Sequence, residues 1–145
     1  GLIKVRIASY EHTEPYYKVN VERVEQTEIN EPKEVVEAHM RSVKDSLEQV
    51  INHGKVLSPD ILIMLEEIDD PSRFADLVSA NLNLKSKQAQ EILEILNPLE
   101  RLNKINEILN RELQIISYQH KLKNSTTDEI SKTQKGIRNI ILSYK

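Results

Sequence analysis

IDDPSRFADLVSANLNL, residues 68–84, carries its own helix start signal. Asp70 is an acceptor side chain of the kind that caps a helix, and Pro71 suits the first helical position, where a missing N–H costs nothing. Behind them Phe74, Leu77, Val78 and Leu82 fall on one face, so the stretch reads as a helix over 71–82 with one buried side. Nothing in it is nucleophilic, metal-binding or phosphate-cradling. The same punctuation recurs at Glu31-Pro32, Ser58-Pro59 and Asn97-Pro98, and each site is read as another helix start. Asn97 followed by Glu100 has the spacing of a capping box.

The helical period spreads in both directions from this segment. Upstream, Val35, Val36, His39, Met40, Val43, Leu47, Val50 and Ile51 form a stripe from Pro32 that Gly54 can terminate. A shorter helix is expected over about 59–67, with Ile61, Leu62, Met64, Leu65 and Ile68 apolar, and another over about 87–96. The last helix begins at Pro98. Leu102, Ile105, Leu109, Leu113 and Ile116 recur at spacings of three and four, the pattern of a packed or coiled-coil face. From Gln119 to Gly136 only Leu122 and Ile130 are strongly apolar, so this part is expected to project as a solvated helix or to fray. "NSTTDE" (124–129) could also start a fresh helix, because Ser and Thr compete locally for backbone bonds. Ile137, Ile140 and Ile141 then make a small new stripe. Phe74, Leu77, Leu93 and Leu102 are expected in the core.

The amino-terminal part has a different period. Ile3, Val5 and Ile7 alternate with Lys4, Arg6 and Ala8, and Val19, Val21 and Val24 lie among Lys18, Glu22 and Arg23. Such patterns predict two half-buried strands, over 3–9 and 17–24, joined by the polar "YEHTEPYY". Two strands alone are marginal, and their sheet is expected to continue in strands outside this sequence. The fold class is therefore mainly α: a helical bundle with a long C-terminal helix, preceded by two strands. Because the chain opens inside a strand pattern without an initiator Met, it is expected to be a piece of a longer protein.

Composition excludes several chemistries. With no cysteine among 145 residues, disulfides and thiolate metal sites are ruled out, and a reducing compartment fits. No apolar run approaches the ~20 residues of a membrane span, and the first ten residues lack the pattern of a signal peptide. His12, His39, His53 and His120 lie at no recognised ligand spacing, and no metal site is expected. Three glycines cannot build a P-loop or a dinucleotide fingerprint. Serines lack G-x-S-x-G or S-x-x-K context. The carboxylate pairs Glu66/Glu67 and Asp69/Asp70 sit at helix ends, where capping explains them. "NST" at 124–126 matches a glycosylation sequon that carries little weight without a secretory signal. Net charge is −3, yet residues 1–97 carry 11 Lys/Arg against 18 Asp/Glu and residues 98–145 carry 9 against 5. The basic tail has no aromatic platform, so direct nucleic-acid binding is not expected. By elimination the chain binds polypeptide or supports an assembly.

Residues 68–113 closely resemble the helical half of the N-terminal domain of the Lon ATP-dependent protease family. The pattern is D-[DE]-P-x-R-[LF]-A-D, met by Asp69, Asp70, Pro71, Arg73, Phe74, Ala75 and Asp76. An N-L-x-L corner follows at Asn81, Leu82 and Leu84, then K-Q-x-[IL]-L-E at Lys87, Gln88, Ile92, Leu93 and Glu94, then Glu100, Arg101 and Leu102. "GLIKVRI" resembles a strand late in the family's β-rich subdomain, and "KTQK" (132–135) is similar to K-S-Q-R of its long helix; the match fails over 136–145. The resemblance implies three parts: the truncated end of a β-rich subdomain over 1–27, an α-helical bundle over 31–97, and over 98–145 the start of a long helix leading toward an AAA+ motor. It implies a module that captures unfolded or tagged proteins and helps hold a hexamer, with no catalytic, cofactor or metal residues of its own. The ATP and Mg that the family uses, and its Ser-Lys dyad, belong to the parent protein, and the expected location is the cytoplasm. Tyr10, Tyr16 and Tyr17, around the strand connection, are the candidate substrate-contact residues; the other reading packs them against the rest of the sheet. A helical spacer or oligomerisation module without substrate contact is the alternative function.

Overall fold

In the computed structural model, which describes residues 3–54 and 57–143 (Ser143 without its side chain), a strand pair leads into five helices. Strands β1 (Val5–His12) and β2 (Lys18–Arg23) pair antiparallel, Val5 opposite Arg23 and Tyr10 opposite Val19. Register shifts between Ile7 and Ser9 and between Tyr10 and His12 break the alternation. The helices are α1 (Lys33–Asn52), α2 (Asp60–Glu66), α3 (Pro71–Asn81), α4 (Ser86–Glu94) and α5 (Pro98–Ser143). The fold is mainly α with a long final helix, as the periodicity implies. Gly1 and Leu2 of the strand resemblance, and positions 144 and 145 of the expected last segment, lie outside the described residues.

The four Pro-punctuated starts divide into two kinds. Asp70 accepts from the backbone N–H groups of Ser72 and Arg73, both at 3.3 Å, with Pro71 as the first helical residue. Asn97 accepts from Leu99 (2.9 Å) and Glu100 (3.4 Å) ahead of Pro98. At α1 and α2 the expected side-chain caps are absent: Pro32 and Pro59 themselves occupy the cap position, and no side chain caps either helix. Carbonyls of Pro32 and Ser58 accept the first N–H groups instead. Asp70→Ala should therefore lower stability by about 1 kcal/mol, whereas Glu31→Ala should change it by less than about 0.5 kcal/mol. Urea unfolding midpoints of the two variants check the contrast.

All five helices contribute to one core, made of Val43, Leu47, Val50, Ile61, Leu65, Phe74, Ala75, Val78, Ile92, Leu99, Leu102, Ile105 and Leu109. Helices α1 and α5 run in the same direction: Ser46 donates to the Asn106 Oδ1 (2.8 Å), Asn106 Nδ2 donates to Ser42 (3.0 Å), and further along both helices His53 meets His120. Parallel neighbours cannot be joined by a short turn, so α2, α3 and α4 form the return crossover. Leu77 is half-buried at the edge of the core. Leu93 corrects the sequence reading, being 52% exposed while its neighbour Ile92 points inward. On a short helix only one of two adjacent residues reaches the core, and "EILEIL" does not reveal which.

One other expectation changes. The strands are mostly exposed rather than half-buried: Val5, Ile7 and Val21 are exposed, and of the strand valines only Val19 and, just past β2, Val24 are half-buried. Of the readings for distal α5 the projecting helix holds, and it runs through "NSTTDE" without a restart. The hydroxyls of Thr126 and Thr127 donate back to the carbonyls of Leu122 and Lys123, at 2.9 Å each. That back-bonding lets them stay helical. Every side chain from Ser117 to Leu142 is exposed, so the second half of α5 projects.

Candidate functional site

The connection between the strands gathers the three candidate tyrosines, but not into one group. Tyr10, at the end of β1, meets Tyr17 edge-on with ring centroids 6.1 Å apart. Tyr16 instead packs edge-on against His12 at 5.0 Å. The His12 ring Nδ1–H donates to the Tyr16 carbonyl at 3.1 Å, and Lys18 pairs with Glu11 at 2.7 Å, so polar contacts brace the turn on both sides. All three tyrosines stay exposed, Tyr17 most (74%). His12 belongs to this cluster and the sequence reading missed it, because β1 runs on to His12 through residues whose polarity reads as a connection.

A second constellation lies where the strands leave the bundle. Arg101, in the first turn of α5, is fully buried. Its Nε and Nη2 donate to the Ile95 carbonyl at 3.1 and 2.7 Å, and its Nη1 donates to the Ser72 hydroxyl (3.2 Å) and the Asp76 carboxylate (3.0 Å). One guanidinium thus ties α3, the α4–α5 corner and α5 together, using the forked geometry that lysine lacks. Burial lowers the Arg101 pKa, opposed by the nearby carboxylates of Asp76 and Asp70. Lys4 reaches the same carboxylate at 3.8 Å, with a buried ammonium that finds no hydrogen-bond partner among the described residues. Burial is the main cause of its lowered pKa, Arg101 repels it further, and Asp76 opposes both.

The sign of the resulting pH dependence is fixed. Native Lys4 releases its proton below the ordinary value of 10.5, so between the two values the unfolded chain holds more protons and stability rises with pH. Lys4→Met should remove that alkaline rise and leave stability at neutral pH equal or higher, because an imperfectly paired buried charge is replaced by a fitting apolar chain. Unfolding midpoints across the alkaline range of both proteins measure it.

Between α1 and α5 a shallow groove of about 530 Å³ is lined by Val35, Ala38, His39, Ser42, Asn103 and Asn106. His39 therefore sits at a boundary, as its place on the helical stripe implied.

Residues 1–111 match the family described as the ATP-dependent protease La (LON) substrate-binding domain. The chain belongs to that family. It is 37% identical over 135 residues to the Lon protease of Geobacter metallireducens, covering 93% of this chain and 16% of that one. Lon protease 2 of Bdellovibrio bacteriovorus is 38% identical over 135 residues, covering 93% and 17%. The Lon protease of Aquifex aeolicus is 31% identical over 137 residues, again 93% and 17%. The chain thus spans only about one sixth of the length of the curated relatives it matches.

The Lon pattern in the sequence acquires a physical meaning from the geometry. Asp70 is the α3 cap, Asp76 the partner of Arg101, and Phe74 and Ala75 are core. The motif residues Asp70, Phe74, Ala75 and Asp76 are framework, and Lys4 of the strand segment reaches Asp76 at 3.8 Å. The exposed tyrosines lie outside it. No helix among the described residues is long and apolar enough to cross a membrane.

Proposed function

We propose that this chain is the substrate-recognition and assembly module of a Lon-like, ATP-dependent serine protease that degrades misfolded and regulatory proteins. The observation that carries the reading is the aromatic strand connection, Tyr10 with Tyr17 and Tyr16 with His12, left exposed on a chain of the substrate-binding family. Exposed tyrosines offer large, stiff contact area with a polar tip, which suits loose capture of unfolded or tagged segments of varied sequence. Captured chain passes along the projecting half of α5 toward a hexameric motor that uses ATP and Mg, and peptide cleavage belongs to a Ser-Lys dyad elsewhere in the parent protein. On this reading the chain alone neither hydrolyses ATP nor cuts peptides, does not bind nucleic acid or membrane, and works in the cytoplasm.

Photo-cross-linking of the 145-residue chain to a chemically unfolded model protein tests capture. Replacing Tyr10, Tyr16 and Tyr17 together by serine should reduce the yield several-fold without moving the urea midpoint. An unchanged yield would sink the assignment of the surface. The second reading, an oligomerisation spacer, rests on Ile137, Ile141 and Leu142, exposed on one side of distal α5. Concentration-dependent sedimentation with no cross-linking would favour it.

A further inference from the structure

His53 and His120 are far apart in the sequence and belong to no ligand motif, yet the fold sets them side by side. His53 caps the C-terminus of α1, and His120 lies on α5 just beyond its half-buried root. Their ring centroids are 6.4 Å apart with an interplanar angle of 76°. The His53 Nδ1 lies 2.7 Å from the Gln49 carbonyl, which also accepts the His53 backbone N–H at 3.1 Å. A carbonyl acceptor requires a proton on Nδ1, so in the neutral ring Nε2 is the nitrogen that can bind a metal. Metal-bound histidines almost always show this arrangement, the second nitrogen held by a backbone carbonyl or carboxylate.

We propose that His53 and His120 together bind one divalent transition-metal ion of the zinc type, bridging the end of α1 to α5. Two imidazoles on one tetrahedral ion, with metal–nitrogen bonds of about 2.0–2.1 Å, place their centroids about 5 Å apart. The observed 6.4 Å is wider than that, so with His53 kept on the Gln49 carbonyl it is the exposed His120 side chain that turns to close the gap. Among the described residues no group of three or more His, Cys, Asp or Glu is placed to hold a metal ion, so the pair brings two protein ligands and water completes the coordination. Two neutral nitrogens without carboxylates select zinc, nickel or copper ions over magnesium or calcium. The site is open, hence reversible rather than structural.

Its position gives it a consequence. Ile116 is the last half-buried residue of α5, and the helix projects from Ser117 onward. An ion at His120 anchors the helix one turn beyond that exit and holds the α1 end next to Gly54, whose φ of +86° terminates the helix. Metal loading therefore stiffens the exit of the projecting half.

Calorimetric titration of the 145-residue chain with Zn²⁺ alone tests this, using wild type, His53→Gln, His120→Gln, the double variant, and His12→Gln as a control. The expected result is one ion per chain, affinity reduced about tenfold or more by either single substitution, and no change in the control. Circular dichroism should show all variants helical, since both positions are exposed. Amide exchange between about residues 113 and 123 should slow with Zn²⁺ in wild type only. Wild-type binding indistinguishable from that of the double variant would overturn the proposal and leave the two rings as an edge-on contact.

Discussion

Arg101→Ala should lower the unfolding free energy by about 3–5 kcal/mol, the range for breaking a buried charged network by removing one partner. The loss has three parts. The Ile95 carbonyl and the Ser72 hydroxyl lose their donor, and a fully buried side chain leaves a void where α3 meets α5. Half-exposed Asp76 is recovered by water, so it adds the least. Arg101→Lys keeps the charge but cannot give two N–H groups to Ile95 while reaching Asp76; it should still cost about 2 kcal/mol. Urea unfolding followed by circular dichroism measures both, and a wild-type midpoint for Arg101→Lys would show that charge alone, not the fork, holds the corner.

Leu102→Ala should have a comparable effect, about 3–5 kcal/mol, for a different reason. Leu102 is completely buried beside Ile105 and Leu109, and removing its methyl groups adds a cavity to the lost transfer energy. Leu93→Ala, the same chemical change at a half-exposed position, should stay within about 1 kcal/mol. The pair separates burial from residue type. If both cost the same, α4 would have to pack differently from the arrangement described.

Helix existence was legible in the sequence because each helix has a local cause: a stripe of apolar residues and, in every helix but α4, a Pro-marked start. The Asp70 cap and the Leu102–Ile116 face needed nothing beyond their own neighbours. What sequence could not give depends on long-range geometry. Whether Ile92 or Leu93 faces inward depends on where α5 lies. The strands' exposure depends on which elements cover them, and alternation describes a pattern without supplying a cover. The Arg101 hydrogen bonds join residues up to 29 positions apart, and of their members only Arg101 and Asp76 belong to the family motif, whereas Ser72 and Ile95 do not. The tyrosine trio was half-legible: proximity around one turn was readable, whereas the split into Tyr10–Tyr17 and Tyr16–His12 follows from the register shift near Tyr10. The His53–His120 contact had no sequence signal, because parallel packing of α1 on α5 creates it.

The proportions of α5 have one more consequence. Residues 98–116 are seated and 117–142 are not, so about 28 Å of root carries about 39 Å of overhang at 1.5 Å per residue. A tilt of about 5° at the exit, small enough to arise from repacking around Leu109, displaces the far end by about 3–4 Å. Substitutions at the root can thus misplace whatever joins the far end while barely changing the unfolding free energy. For these residues angular accuracy is the sensitive quantity, and a screen that reads only stability would pass variants whose aim is wrong.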